Sequence, residues 1–212
     1  MIKESNQVTP TIHLHQKDLP ADLSFGDIVA VDAEFMGLLP RRDRLCLVQL
    51  SAGDGVCHLV QVDRAYNCPR LKALMTDKNV TKIFHFARSD MAAFYEQLNI
   101  VTTPVYCTKI ASRFVRTYTS GHSLKDLLKE LLSLDISKQQ QTSDWGAEIL
   151  SKEQLSYAAT DVLYLHKLKE ILDERLIREG RQGLAQECCK FLETRTQLDA
   201  LGYETREPFD HS

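Results

Sequence analysis

The chain has 212 residues, of which 43% are hydrophobic and 26% charged, and its formal net charge at neutral pH is −3. That composition excludes a disordered chain and suits one domain with a sizeable core. The slightly acidic balance excludes a broad basic surface that would coat a long nucleic-acid duplex.

The N-terminal MIKESNQVTP has no apolar stretch that would serve as a signal peptide, and no apolar run approaches the ~20 residues needed to cross a bilayer. A cytoplasmic protein with no membrane contact is the expectation. The first 25 residues form a lead-in with an edge strand at Thr11–His15. Ile28–Phe35 (IVAVDAEF) is a β-rich run that ends on two carboxylates. Leu45–Ala52 and Val56–Val62 are further strands, separated by the turn signal Gly53-Asp54-Gly55. Their connections are too short for helical crossovers, which predicts a meander.

Beyond this point helices and strands alternate. The pattern predicts a helix over Pro69–Thr76, a strand over Val80–Phe86, a helix over Ser89–Leu98, a strand over Val105–Thr108 and a helix over Lys109–Val115. Ser123 is an N-cap for Leu124–Leu132, and Ser137–Ser143 is a polar loop. Ser151 with Gln154 has capping-box form and opens one long helix to about Glu179, where Gly180 breaks it. Leu184–Leu201 is the last helix. Residues 1–212 thus read as a single α/β domain with a helical C-terminal extension from about 184. The six cysteines (46, 57, 68, 107, 188 and 189) show no C-x-x-C spacing and read as reduced thiols, not zinc ligands.

Three motifs carry chemistry. Asp32 and Glu34 are two apart on a strand and so face the same way. Two neighbouring carboxylates on an apolar strand repel each other, and a hard divalent cation relieves that conflict. Asp90 follows a strand at the start of a helix, where an acid also suits the helix dipole. Tyr157 and Asp161, four apart, share one helix face. Each has an ordinary structural explanation in isolation.

Together, the three motifs resemble those of the DEDDy 3′→5′ exonucleases, the RNase D-like group. The surrounding VDAEFMGLLPRRDRLCLVQLS, KIFHFARSDMAAF and SDWGAEILSKEQLSYAATDVLYL agree. KIFHF, CTKIAS, DISKQQQ and LDALGY bring the resemblance to the short, nano-RNase C type, over nearly the whole chain. One departure is Ala33-Glu34-Phe35, where a threonine is expected on either side of the glutamate. Both carboxylates survive it, and packing beside them is expected to differ.

The resemblance implies an RNase H-like (DEDD exonuclease) fold with a mixed sheet of five to six strands, two divalent cations (Mg²⁺ or Mn²⁺), and no HRDC-type domain. It implies Asp32 as bridging ligand, Glu34 and Asp161 completing one metal site, Asp90 at the second, and Tyr157 handling the attacking water. It also implies short RNA, dinucleotides included, as substrate, cut to 5′-nucleoside monophosphates, and a homo-oligomer in the form of an octameric ring. Single-stranded DNA or longer, structured RNA is the alternative substrate, and a catalytically silent nucleic-acid-binding module the alternative class. The presence of all four carboxylates speaks against the last.

Further substrate-binding candidates surround these motifs. Leu38 sits where short-RNA exonucleases wedge a leucine against the terminal bases, with loop packing as its plain alternative. His85 and Phe86 precede Asp90 and are placed to line a cleft, and Lys138, Gln141 and Ser143 to hold phosphate oxygens. The cluster Arg41, Arg42 and Arg44 fits a solvated face or subunit contact better than a substrate clamp, and Trp145 fits the core.

Overall fold

The β-rich run at Ile28–Phe35 becomes the second strand of a six-stranded mixed sheet. The computed structural model describes residues 10–37, 42–136, 140, 142–203 and 208. The strands are β1 (Thr11–Gln16), β2 (Ile28–Phe35), β3 (Leu45–Ser51), β4 (Val56–Gln61), β5 (Thr81–Phe84) and β6 (Val105–Cys107). Their spatial order is β1-β4-β3-β2-β5-β6. β2, β3 and β4 form the expected antiparallel meander, while β1 on β4, β5 on β2 and β6 on β5 are parallel. The β3–β4 turn needs its glycine: Gly53 has φ +82, and a Cβ there would lie 2.7 Å from the His166 ring.

Strand alternation divides the apolar residues between two cores, one on each face of the sheet. Val29, Val31 and Ala33 of β2 enter the first, with Phe25, Leu71, Met75 and Phe94. Ala30 enters the second, with Ala158, Val162, Leu168 and Leu172. Asp32 and Glu34 share the parity of Ala30, so they stand on the second face, beneath the late helices.

Among the described residues, seven α-helices cover the sheet: α1 (Pro69–Thr76), α2 (Ala87–Ala93), α3 (Thr108–Val115), α4 (Leu124–Leu132), α5 (Lys152–Leu163), α6 (Leu165–Arg178) and α7 (Gln182–Ala200). The capping box at Ser151 and Gln154 forms as expected, and Ser123 caps α4 with Asp126 as the reciprocal partner. The long helix expected to reach Glu179 is instead two, because Tyr164 leaves helical geometry (φ −106, ψ 0). The break lets α5 lie on β2, β3 and β4 while α6 turns to pack on α3. No glycine or proline marks it, so the apolar periodicity runs through unbroken. β5 is also shorter than expected: it ends at Phe84, and α2 runs on into a π-helical turn at Phe94–Leu98. The expected C-terminal helix, α7, packs on α2 and β6 through residues that include Cys189 and Leu192. All six cysteines are free thiols, five of them buried.

Candidate active site

The cleft is built where β2 passes under α5. Ala158, Ala159 and Val162 bury the sheet-facing side of α5, and the two alanines let the helix come close to the strands. This brings Asp161 onto the β2 carboxylates: oxygen atoms of Asp32, Glu34 and Asp161 all lie within 4.8 Å of one another. One helical turn earlier, Tyr157 looks into the same space, its ring 6.1 Å from that of Trp145. Asp90, in the first turn of α2 and only 4% exposed, closes the cleft from the other side. The five side chains line one cavity of about 340 Å³.

Electrostatically the cluster is in conflict with itself. Burial pushes the Glu34 carboxyl up to about 10, with Asp32, Asp161 and Asp90 adding to the effect. Burial likewise drives Asp32 up to about 7, against a hydrogen bond from the Ala33 backbone. Asp90 and Asp161 are raised well above the usual carboxylate range by burial, and each also feels Asp32. The donor set is all oxygen, with neither thiol nor imidazole among the three clustered ligands. Such a set fits a hard divalent cation, whose charge would remove the repulsion and leave the carboxylates ionised. Burial first, then Asp161, Glu34 and Asp32, push the Tyr157 phenol up as well.

The walls carry the other candidates. His85 Nδ1 lies 2.9 Å from Thr108 Oγ1, and its ring borders the cleft. Burial, then Lys109, lowers His85 to about 4, so it is neutral at physiological pH. Phe86 follows in the left-handed region (φ 67, ψ 49), a strained conformation for a bulky residue. This turn leads β5 into α2 and leaves the Phe86 ring 44% exposed on the cleft wall. Ser143 does not line the cleft; its hydroxyl donates to Gln140 Oε1 at 2.6 Å. Leu38, Lys138, Gln141 and Arg41 lie outside the described residues. Arg42 pairs with Asp43, and Arg44 donates to the Val62 carbonyl at 3.2 Å, so neither is a cleft residue. Trp145 is in the core, 1% exposed.

Two basic side chains that sequence reasoning passed over border the cavity, Lys109 at the start of α3 and Lys125 at the start of α4. The Lys109 ammonium sits 4.3 Å from the Phe86 ring centre. Nothing in their local sequence distinguishes them from surface lysines; the convergence of α3 and α4 on the cleft does.

Residues 5–177 match the family model described as 3′-5′ exonuclease. Brucella melitensis NrnC with bound Mg²⁺ superposes with a TM-score of 0.90 at 48% identity, covering 95% of this chain and 100% of that one. NrnC bound to pGG gives 0.91 at 49% identity, covering 96% and 100%. Ribonuclease D of Acidiphilium cryptum is 34% identical over 182 residues, 86% of this chain and 45% of the relative. The chain thus spans about half the length of the curated relatives it matches. The mixed sheet, its flanking helices and the helical C-terminal extension are those of the RNase H-like DEDD fold. The chain belongs to the DEDD-type 3′–5′ exonucleases, with NrnC and the ribonuclease D enzymes among its relatives.

Proposed function

We propose that the protein is a divalent-cation-dependent 3′→5′ exoribonuclease that hydrolyses short RNA, dinucleotides included, to 5′-nucleoside monophosphates. The observation that carries this reading is the gathering of Asp32, Glu34 and Asp161 oxygens within 4.8 Å beside the buried Asp90. The solved complexes of the similar NrnC, one with Mg²⁺ and one with pGG, support it.

In this reading Asp32, Glu34, Asp161 and Asp90 would hold two cations, Asp32 shared between them, Glu34 and Asp161 completing one site and Asp90 serving the other. Bound there, the pair of ions supplies charge neutralisation for the entering and leaving oxygens of the phosphodiester. The protein's own residues do the rest. Tyr157 orients the attacking water by hydrogen bonding. His85, neutral, offers a hydrogen bond to the nucleotide, and the exposed Phe86 ring offers a stacking face. Lys109 and Lys125 give the cleft its positive rim for phosphate. Leu38 is assigned to the terminal bases on the resemblance, and Lys138 and Gln141 to phosphate oxygens on their place in the polar sequence before α5.

The chain works as one domain, in a reducing compartment such as the cytoplasm, where its free thiols persist. Assembly into a ring of copies is supported by α7, whose Leu184, Cys188 and Phe191 are exposed at i, i+4 and i+7 spacing. The test is a length series of RNA and DNA oligomers with Mg²⁺ or Mn²⁺, against an Asp32→Ala control. Dinucleotide turnover faster than that of longer RNA, absent in the control, is expected. Preferential cleavage of the longer RNA, or of DNA, overturns the substrate assignment.

A further inference from the structure

We propose that His13, His15 and His58 form a second metal site, on the far face of the sheet, for a nitrogen-preferring transition ion such as Zn²⁺ or Ni²⁺. β1 is the edge strand, and its His13 is paired in parallel register with His58 of β4. Residues two apart on a strand share a face, and so do parallel register partners. The topology therefore sets three imidazoles on one side of the sheet edge. That side is opposite to Asp32 and Glu34, since His58 shares the parity of Val60 in the first core.

The rings are in contact. His13 and His15 stand 5.2 Å and 5.3 Å from His58, ring centre to ring centre, in near-parallel stacks. His15 Nε2 and His58 Nδ1 are 3.0 Å apart. Two ligand nitrogens on one tetrahedral zinc, each at ~2.0–2.1 Å, lie ~3.3 Å from one another, so a slight widening replaces the shared proton by an ion. His13 is exposed and stacks on the pair, and its imidazole would have to turn to offer a third nitrogen. Three histidines with water in the fourth position is an established zinc arrangement. Borderline ions favour imidazole, whereas Mg²⁺ favours the carboxylate cleft, so the two sites select by donor chemistry.

The neighbourhood favours neutral, ligating rings. Burial lowers both His15 and His58 from their ordinary value, and His13 presses on each. Phe25 walls His58 edge-on at 5.5 Å, and Asp54 is the acid that acts on it in the opposite sense. Occupation would clamp β1 to β4 and stabilise the folded chain by mass action.

The experiment titrates Zn²⁺ into the untagged protein with Mg²⁺ in saturating excess. One Zn²⁺ per chain is expected, with a rise in melting temperature and loss of binding as acid protonates the rings. His15→Gln and His58→Gln should each weaken Zn²⁺ binding by about tenfold or more, leaving Mg²⁺-dependent RNA hydrolysis unchanged. In the unaltered protein, Zn²⁺ should protect His15 and His58 from acylation by diethyl pyrocarbonate, mapped by mass spectrometry. Absence of Zn²⁺ binding, binding indifferent to both substitutions, or acylation unaffected by Zn²⁺ overturns the site.

Discussion

Arg88 on α2 holds Asp199 near the end of α7 in a two-pronged grip. Its Nε donates to Oδ2 at 2.9 Å and its Nη2 to Oδ1 at 2.8 Å, across 111 residues of sequence. Arg195, one turn back on α7, donates to the same carboxylate at 3.0 Å. Asp90 stands two residues beyond Arg88, so the last helix braces the segment that carries one of the four acids. Asp199→Asn should cost roughly 1.5–3 kcal/mol in urea unfolding, because charge-assisted hydrogen bonds are lost where Asp199 is almost fully buried. It should also raise the Mg²⁺ concentration needed for half-maximal hydrolysis. Wild-type stability and metal response would dissociate α7 from the site.

Tyr157→Phe keeps the ring against Trp145 and removes only the phenol. Turnover should fall by about 10²-fold or more while Mg²⁺ binding, followed by calorimetry, survives. A variant with near-normal turnover removes Tyr157 from the mechanism.

Gln49 of β3 is the antiparallel register partner of Asp32 and is fully buried. Neither its amide nitrogen nor its amide oxygen meets a hydrogen-bond partner among the described residues. An unpaired buried amide is costly, so Gln49→Leu, similar in volume, should stabilise the fold by about 1–2 kcal/mol in denaturant titrations. Destabilisation instead would mean that ordered water satisfies the amide.

Arg116, almost fully buried, donates to Glu130 through Nε at 3.1 Å, and Tyr118 also bonds that carboxylate. The Arg116 hydrogen bond, then that of Tyr118, lowers Glu130 from its ordinary 4.5 to about 2. A carboxyl depressed in the folded state stabilises above its unfolded value and loses that contribution as pH falls through the folded one. Thermal stability from this pair should therefore decline between about pH 4.5 and pH 2. Glu130→Gln should flatten that segment of the pH profile, and an unchanged profile would show the pair to be energetically silent.

Local chemistry was legible in the sequence where short-range rules decide. The N-cap at Ser123, the capping box at Ser151, the glycine turn between β3 and β4, and the parity that puts Asp32 and Glu34 on one face all follow from residues a few positions apart. The break at Tyr164 does not, because neither neighbour is a helix breaker and only the need of α5 and α6 to cover different surfaces imposes it. Lys109 and Lys125 likewise became cleft residues only when α3 and α4 converged on it.

For the four carboxylates the division is the same. Their identity, their spacing within each motif and the resemblance that joins the motifs were in the sequence alone. What the tertiary structure decided was their meeting: β2, α2 and α5 approach through two apolar cores packed on opposite faces of one sheet. Packing energy drives that convergence and makes it stable, and it presses together charges that repel one another. Beyond the pair on β2, no local rule encodes that repulsion, because Asp90 and Asp161 meet Asp32 and Glu34 only once distant segments of the chain occupy the same cleft.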